Sequence, residues 1–183
     1  MKKISFIFFV GLLLSGQYNM LRGQSIIQGE FWQQQAIEDV IVPWTEHGID
    51  QEHGAYHSFL ERDWTPYNSD HKFPGMIARH LFSYAVAYML SGEDSYRQQA
   101  QITYDYLVDK GWDRDDGGWY NELDRQGAVV DASKDLFMQT YAITGLAMYY
   151  LMTHDSTVKS YVDRSIDLLE ARAWDTQGGG YVS

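Results

Sequence analysis

Three observations in this 183-residue sequence predict an all-α fold built as a ring of helical hairpins. A loop motif, His53-Gly54-Ala55-Tyr56-His57-Ser58-Phe59-Leu60-Glu61-Arg62, returns about 62 residues later as Asp116-Gly117-Gly118-Trp119-Tyr120-Asn121-Glu122-Leu123-Asp124-Arg125. A third copy opens with Gly179-Gly180-Tyr181-Val182-Ser183. Between copies, helical patterns alternate between segments apolar on one side and segments apolar nearly all round. The latter align with each other at the same interval, Lys72 on Lys134 and Arg79 on Tyr141. The unit is therefore an inner helix, an outer helix and a loop, and stacking it around a hole gives an (α/α)6 toroid. Six units would need on the order of 370 residues. The sequence is expected to hold about two and a half of them, a partial ring of about five helices, truncated within the third loop.

The elements follow in order. Met1-Lys2-Lys3 leads into an apolar run from Ile4 to Leu14, the pattern of a secretory signal peptide within residues 1–24. The run is short for a spanning helix, which needs roughly 18 or more apolar residues. Cleavage is expected between Ser15 and Gln24. Residues 25–183 form the barrel portion.

Segment 30–42 carries Trp32, Ala36, Ile37, Val40 and Ile41 on one side and is expected to end near Pro43, as a surface helix. Segment 74–91 is apolar all round, the pattern of a helix buried on all sides. Segment 93–110 is one-sided again, with acids in its first turn. Segment 133–153 is a second inner helix with Ser133 as its expected cap, and 156–172 a third outer one. The long loops 43–73 and 111–132 are of the length that usually carries function. The second is expected to hold a hairpin, Gly118 to Leu123 and Ala128 to Val130.

Composition narrows the function. With 45% hydrophobic and 21% charged residues the chain has the means to form a core. Its net charge of −11, more negative still without Lys2, Lys3 and Arg22, disfavours nucleic acid and anionic membrane as partners. No cysteine is present, so disulfides, thiol chemistry and a lipoprotein anchor are excluded. Aromatic residues make up 15% and crowd the repeated loops, where apolar faces with polar tips suit sugars as well as they suit a core.

Arg79 is the sharpest single position, a guanidinium in an otherwise apolar helix that requires partners. Glu61, Asp63 or Asp131 could supply them, or the oxygens of a polar ligand in the mouth of the ring could. Gln139, also in an apolar helix, must bond to a neighbour or to something in a cavity. Asp135 suits the helix dipole. His53 and His57 stand four apart, but Gly54 between them places the pair in a loop, so no metal site is assigned. Asp113-Arg114-Asp115-Asp116-Gly117-Gly118 is an Asp-rich turn that lacks the third acidic ligand of a calcium loop. Neither His80 nor His154 has an acid or hydroxyl partner that spacing identifies.

Gly54-Ala55-Tyr56, Ala78-Arg79-His80-Leu81-Phe82-Ser83-Tyr84, Gly117 to Asp124 and Val130 to Ala142 together resemble the N-acylglucosamine 2-epimerase family over nearly all of 30–183. Phe82 stands where many members have Trp. The resemblance implies an (α/α)6 barrel and a cofactor-free reaction on a reducing sugar. There the C2 proton is removed and returned through an enediol-like intermediate. It maps substrate contact onto Arg79 and Tyr141 and puts the proton-transferring histidines beyond Ser183, while Gln139 stays a possible pocket residue on the ground of its own polarity. Partners are then a small sugar, with a homodimer left open, and the location is periplasmic or extracellular. Two other readings stay in view: a glycoside hydrolase or unsaturated uronyl hydrolase on the same ring, and a non-catalytic sugar-binding remnant.

Overall fold

The computed structural model describes residues 28–68 and 70–182, so the expected signal peptide lies outside the described residues. The chain divides into two units, Met1–Val40 and Ile41–Ser183. Helix α1, Gly29–Ala36, lies in the first, with Gln34 Nε2 donating to Glu38 Oε1 at 3.0 Å, and residues Ile37–Ile41 form a π-type turn. The predicted stop at Pro43 does not occur. Pro43 has φ −59°, a helical value, and a second π-type turn follows at Trp44–Gly48.

The second unit is built from two helical hairpins. Inner helix α2, Pro74–Ser91, begins with Pro in its first turn, where the missing N–H costs nothing, and ends at Gly92 with φ 73°. Outer helix α3, Asp94–Tyr106, runs on through a π-type turn to Gly111. Inner helix α4 covers Leu136–Thr153 and outer helix α5 covers Ser156–Arg172. Among the described residues no helix is long and apolar enough to cross a membrane.

Two local expectations are corrected. The cap of α4 is Asp135, whose carboxylate accepts from the Phe137 and Met138 amides at 2.9 and 3.4 Å. Ser133 instead donates its amide and hydroxyl to Asp131, both at 2.9 Å, which holds the chain in the loop and delays the helix start. The hairpin also lies later than expected, as β2 (Glu122–Asp124) and β3 (Val129–Asp131), because Gly118 and Trp119 are engaged in the repeated turn described next. Strand β1, His71–Lys72, joins from the first long loop, giving an antiparallel sheet of order β1-β2-β3. The sheet therefore stands at the N-terminal ends of both inner helices.

The loop repeat is one turn built three times. Asp50, Asp113 and Asp175 donate their amides to the carbonyls of Ala55, Gly118 and Gly180, and their carbonyls accept from Gly54, Gly117 and Gly179. The bridges Ile49–Tyr56, Trp112–Trp119 and Trp174–Tyr181 close each turn. Glycine is required at Gly54, Gly117 and Gly179 because φ there lies between 72° and 76°.

The two inner helices run side by side in the same direction, Gly75 facing Met138 and Gly145 facing Ala78. A Cβ on Gly145 would lie 2.2 Å from the Ala78 carbonyl oxygen, so glycine is what allows this approach. Among the described residues the inner helices are not covered on all sides. Each leaves one stripe exposed, Met76, Arg79 and Leu90 on α2 and Phe137, Tyr141, Thr144 and Leu151 on α4. An apolar pattern identifies a helix without a solvent side in its sequence; which of its sides has a protein neighbour is decided by packing.

Candidate active-site groove

Arg79 and Tyr141 each lie five residues past the start of their helices, at equal depth below the loops. Parallel packing of α2 and α4 brings them together, the guanidinium carbon standing 5.2 Å from the centre of the Tyr141 ring. That distance is within the range of a cation–π contact. Arg79 Nη1 also points at Met76 Sδ, 3.4 Å away. Among the described residues no carboxylate pairs with Arg79, so the ion pair with Glu61, Asp63 or Asp131 is not formed. The side chain is exposed.

The two residues line a groove of about 310 Å³ between α2 and α4, together with Phe82, Ser83, Thr144 and Gly145. The Ser83 hydroxyl donates to the Arg79 carbonyl at 2.9 Å and the Thr144 hydroxyl to the Thr140 carbonyl at 2.8 Å. Ser83 and Thr144 were not singled out from the sequence. Helical spacing held the signal, since they stand four and three residues after Arg79 and Tyr141, on the same faces.

Gln139 is placed elsewhere. It is 1% exposed, and its amide is engaged with the Trp119 backbone, accepting from the amide at 2.9 Å and donating to the carbonyl at 2.7 Å. It fixes the repeated loop against α4, and the groove lies on another side of that helix. Trp119 is fully buried, with its indole N–H donating to Ser165 Oγ at 2.9 Å.

Two lysine–aspartate clasps support the groove from the loop side. Lys72 Nζ lies 3.2 Å from Asp50 Oδ2 and donates to the Gly54 carbonyl. Arg125 reaches back from the β2–β3 turn and grips Asp50 with two bonds, at 2.9 and 3.1 Å. Burial alone would raise the Asp50 carboxyl, but hydrogen bonds from Arg125 and Lys72 outweigh it and hold the group well below the usual carboxylate range. One repeat on, Lys134 Nζ binds Asp113 Oδ2 at 2.9 Å and lies over the Tyr120 ring. Burial opposes ionisation there as well, yet Lys134 and two backbone amides keep Asp113 at about 2. The Asp-rich segment is thus a turn whose acid is occupied by a lysine. The sequence register aligns Lys72 with Lys134, and the structure adds that Asp50 and Asp113 are their partners.

The histidines stand apart from the groove. His80 stacks on Tyr56, with ring centres 3.8 Å apart, and meets Trp44 edge-on; burial, with Arg79 next to it, lowers its pKa to about 4. His57 is also pushed down by burial, and its Nδ1 has no hydrogen-bond partner. His71 bonds Glu122 across the sheet. Among the described residues no three metal-ligating side chains come together. The groove therefore offers donors from one guanidinium, two hydroxyl oxygens and two aromatic faces, a set suited to a ligand that is apolar on its faces and polar on its edges.

Residues 29–183 match the N-acylglucosamine 2-epimerase (GlcNAc 2-epimerase) family. A cellobiose 2-epimerase of Bacteroides fragilis is 29% identical over 149 residues, 81% of this chain and 38% of that enzyme. The structure of cellobiose 2-epimerase from Spirochaeta thermophila superposes with a TM-score of 0.77 at 24% identity, covering 89% of this chain and 39% of that one. A family 76 glycoside hydrolase, a mannosidase of Bacteroides thetaiotaomicron, has a TM-score of 0.66 at 16% identity, over 86% and 40%. This chain thus spans about two fifths of the proteins it resembles, within the (α/α)6-barrel fold.

Proposed function

The chain belongs to the N-acylglucosamine 2-epimerase family, and on that premise we propose that the protein is a carbohydrate 2-epimerase or isomerase. It acts at C2 of a reducing-end sugar, with the groove between α2 and α4 as part of its substrate site. The observation that carries this is Arg79 laid over Tyr141 with no carboxylate partner among the described residues. Such a guanidinium keeps donors for the sugar. As the proton leaves C2, negative charge develops on the neighbouring oxygen, and a donor preset against that oxygen stabilises the enediol-like state. The six residues lining the groove include no imidazole and no carboxylate, so their part is to bind the sugar and stabilise developing charge, not to carry the proton. Proton removal and return on opposite faces requires acid–base groups from elsewhere in the protein.

Cellobiose, named for the Bacteroides relative, is the first substrate to test. Incubating the full-length protein with it in heavy water should place deuterium at C2 and yield the C2 epimer or the ketose. Cleavage of the disaccharide without exchange would replace this reading by the hydrolase one, which the ring fold by itself accommodates. The match of residues 29–183 to the epimerase family favours exchange. Export belongs to the same proposal and rests on the basic and apolar pattern of Met1 to Leu14. N-terminal sequencing of protein recovered outside the cytoplasm tests it, and light scattering tests for a homodimer.

A further inference from the structure

We propose that Ser83 and Thr144 read sugar hydroxyls as hydrogen-bond acceptors, forming an acceptor floor to the groove one helical turn along from the Arg79–Tyr141 pair. This rests on the sugar-binding reading above and extends it to two residues and a polarity. A serine or threonine hydroxyl has one proton and two lone pairs. In both residues the proton is committed to a carbonyl of the same helix, Arg79 for Ser83 at 2.9 Å and Thr140 for Thr144 at 2.8 Å. What each presents to the groove is therefore an acceptor oxygen.

Arg79 is the reverse, a group with donors only. The groove is thus sorted by polarity along the two helices, with donors at the Arg79–Tyr141 level and acceptors one helical turn, ~5.4 Å, further along. Phe82 and Tyr141 add apolar surface to the lining. A ligand that satisfies both presents an oxygen lone pair at one end and free O–H groups at the other, with C–H faces between them. A sugar has that arrangement on the scale of a single ring. An ether or a fully alkylated sugar has no protons to give to the floor. The floor exists because Gly145 lets α4 approach Ala78 closely, which brings Ser83 and Thr144 into one groove.

The test measures equilibrium binding of cellobiose and its monodeoxy analogues to the full-length protein by calorimetry, beside the heavy-water exchange assay. Variants are Ser83→Ala and Thr144→Val, the second nearly isosteric. Each should weaken cellobiose binding about three- to tenfold, the range expected for one neutral hydrogen bond. KM should rise with kcat nearly unchanged. For one deoxy analogue per residue the variant and the parent should bind equally, because the lost partner is already absent. Unchanged cellobiose affinity in both variants, or equal losses on every analogue, overturns the proposal. If the parent protein binds cellobiose with these couplings but exchanges no deuterium, the epimerase reading fails and the floor assignment stands. If it binds no sugar, both fall.

Discussion

Asp50 and Asp113 occupy the same place in consecutive repeats, each capping its turn and each gripped by the lysine that precedes an inner helix. Asp50 and Lys72 are both 1% exposed, and Arg125 from the following loop closes over them. Asp113 and Lys134 are 9% and 17% exposed. Two turns further along the chain the repeats part company, with Arg79 in one and Tyr141 in the other. The comparison teaches that positions holding a unit to its loop are repeated, while positions facing the groove are free to differ. The ring supplies the geometry, and the differences between units supply the chemistry.

The widest test of this comparison is removal of each acid. Asp50→Ala leaves Lys72 buried without its carboxylate and should cost ~3–5 kcal/mol in urea unfolding. Asp113→Ala, in the wetter clasp, should cost about 1–3 kcal/mol. Equal losses would mean that Arg125 and the deeper burial add nothing.

His80 offers a contrast in the same pair of helices, because it is half-buried and the residue one repeat later is the buried Ala142. The folded-state pKa of His80 is about 4 against an ordinary 6.5, so the folded protein binds fewer protons than the unfolded one between those values. Its contribution is present above pH 6.5 and is lost as pH falls towards 4. The loss amounts to roughly 3 kcal/mol. Melting curves of the parent protein and of His80→Phe across that window should diverge, the variant having the flatter profile.

Arg79→Ala should leave the melting temperature unchanged, since the side chain is exposed, yet lower kcat/KM about 100-fold. Arg79→Lys should recover only part of that, because an ammonium cannot lie flat on Tyr141 as a guanidinium does. A large loss of stability with little loss of activity would make Arg79 a scaffold residue. The smallest effect separates two candidate caps. Asp135→Ala should cost ~1 kcal/mol of stability and Ser133→Ala less than about 0.5, measured by denaturant titration.

Much of this was legible before the structure. The sequence repeat located all three turns and the alternation of inner and outer helices, and helix α5 begins and ends where its pattern does, at 156 and 172. The pairing of Arg79 with Tyr141 followed from the same register. Boundaries set by competing side chains were less legible: Ser133 and Asp135 both have the chemistry of a cap, and Asp131 decided between them by binding Ser133. Gln139 was ambiguous for the same reason. An amide in an apolar helix must find partners, but sequence distance does not say that they are the backbone of Trp119.

The sequence by itself determined what is periodic or local: the helices, the glycine-dependent turns, the acidic charge and the level of each inner-helix position along the ring axis. These depend on spacing within one segment or on the recurrence of whole segments, and both can be counted along a chain. Only the tertiary structure decided which faces of the inner helices stay open, that Arg125 crosses to Asp50, and that Ser83 and Thr144 share a groove. Those facts depend on how closely two helices approach, and Gly145 against the Ala78 carbonyl sets that distance in space between residues far apart in sequence.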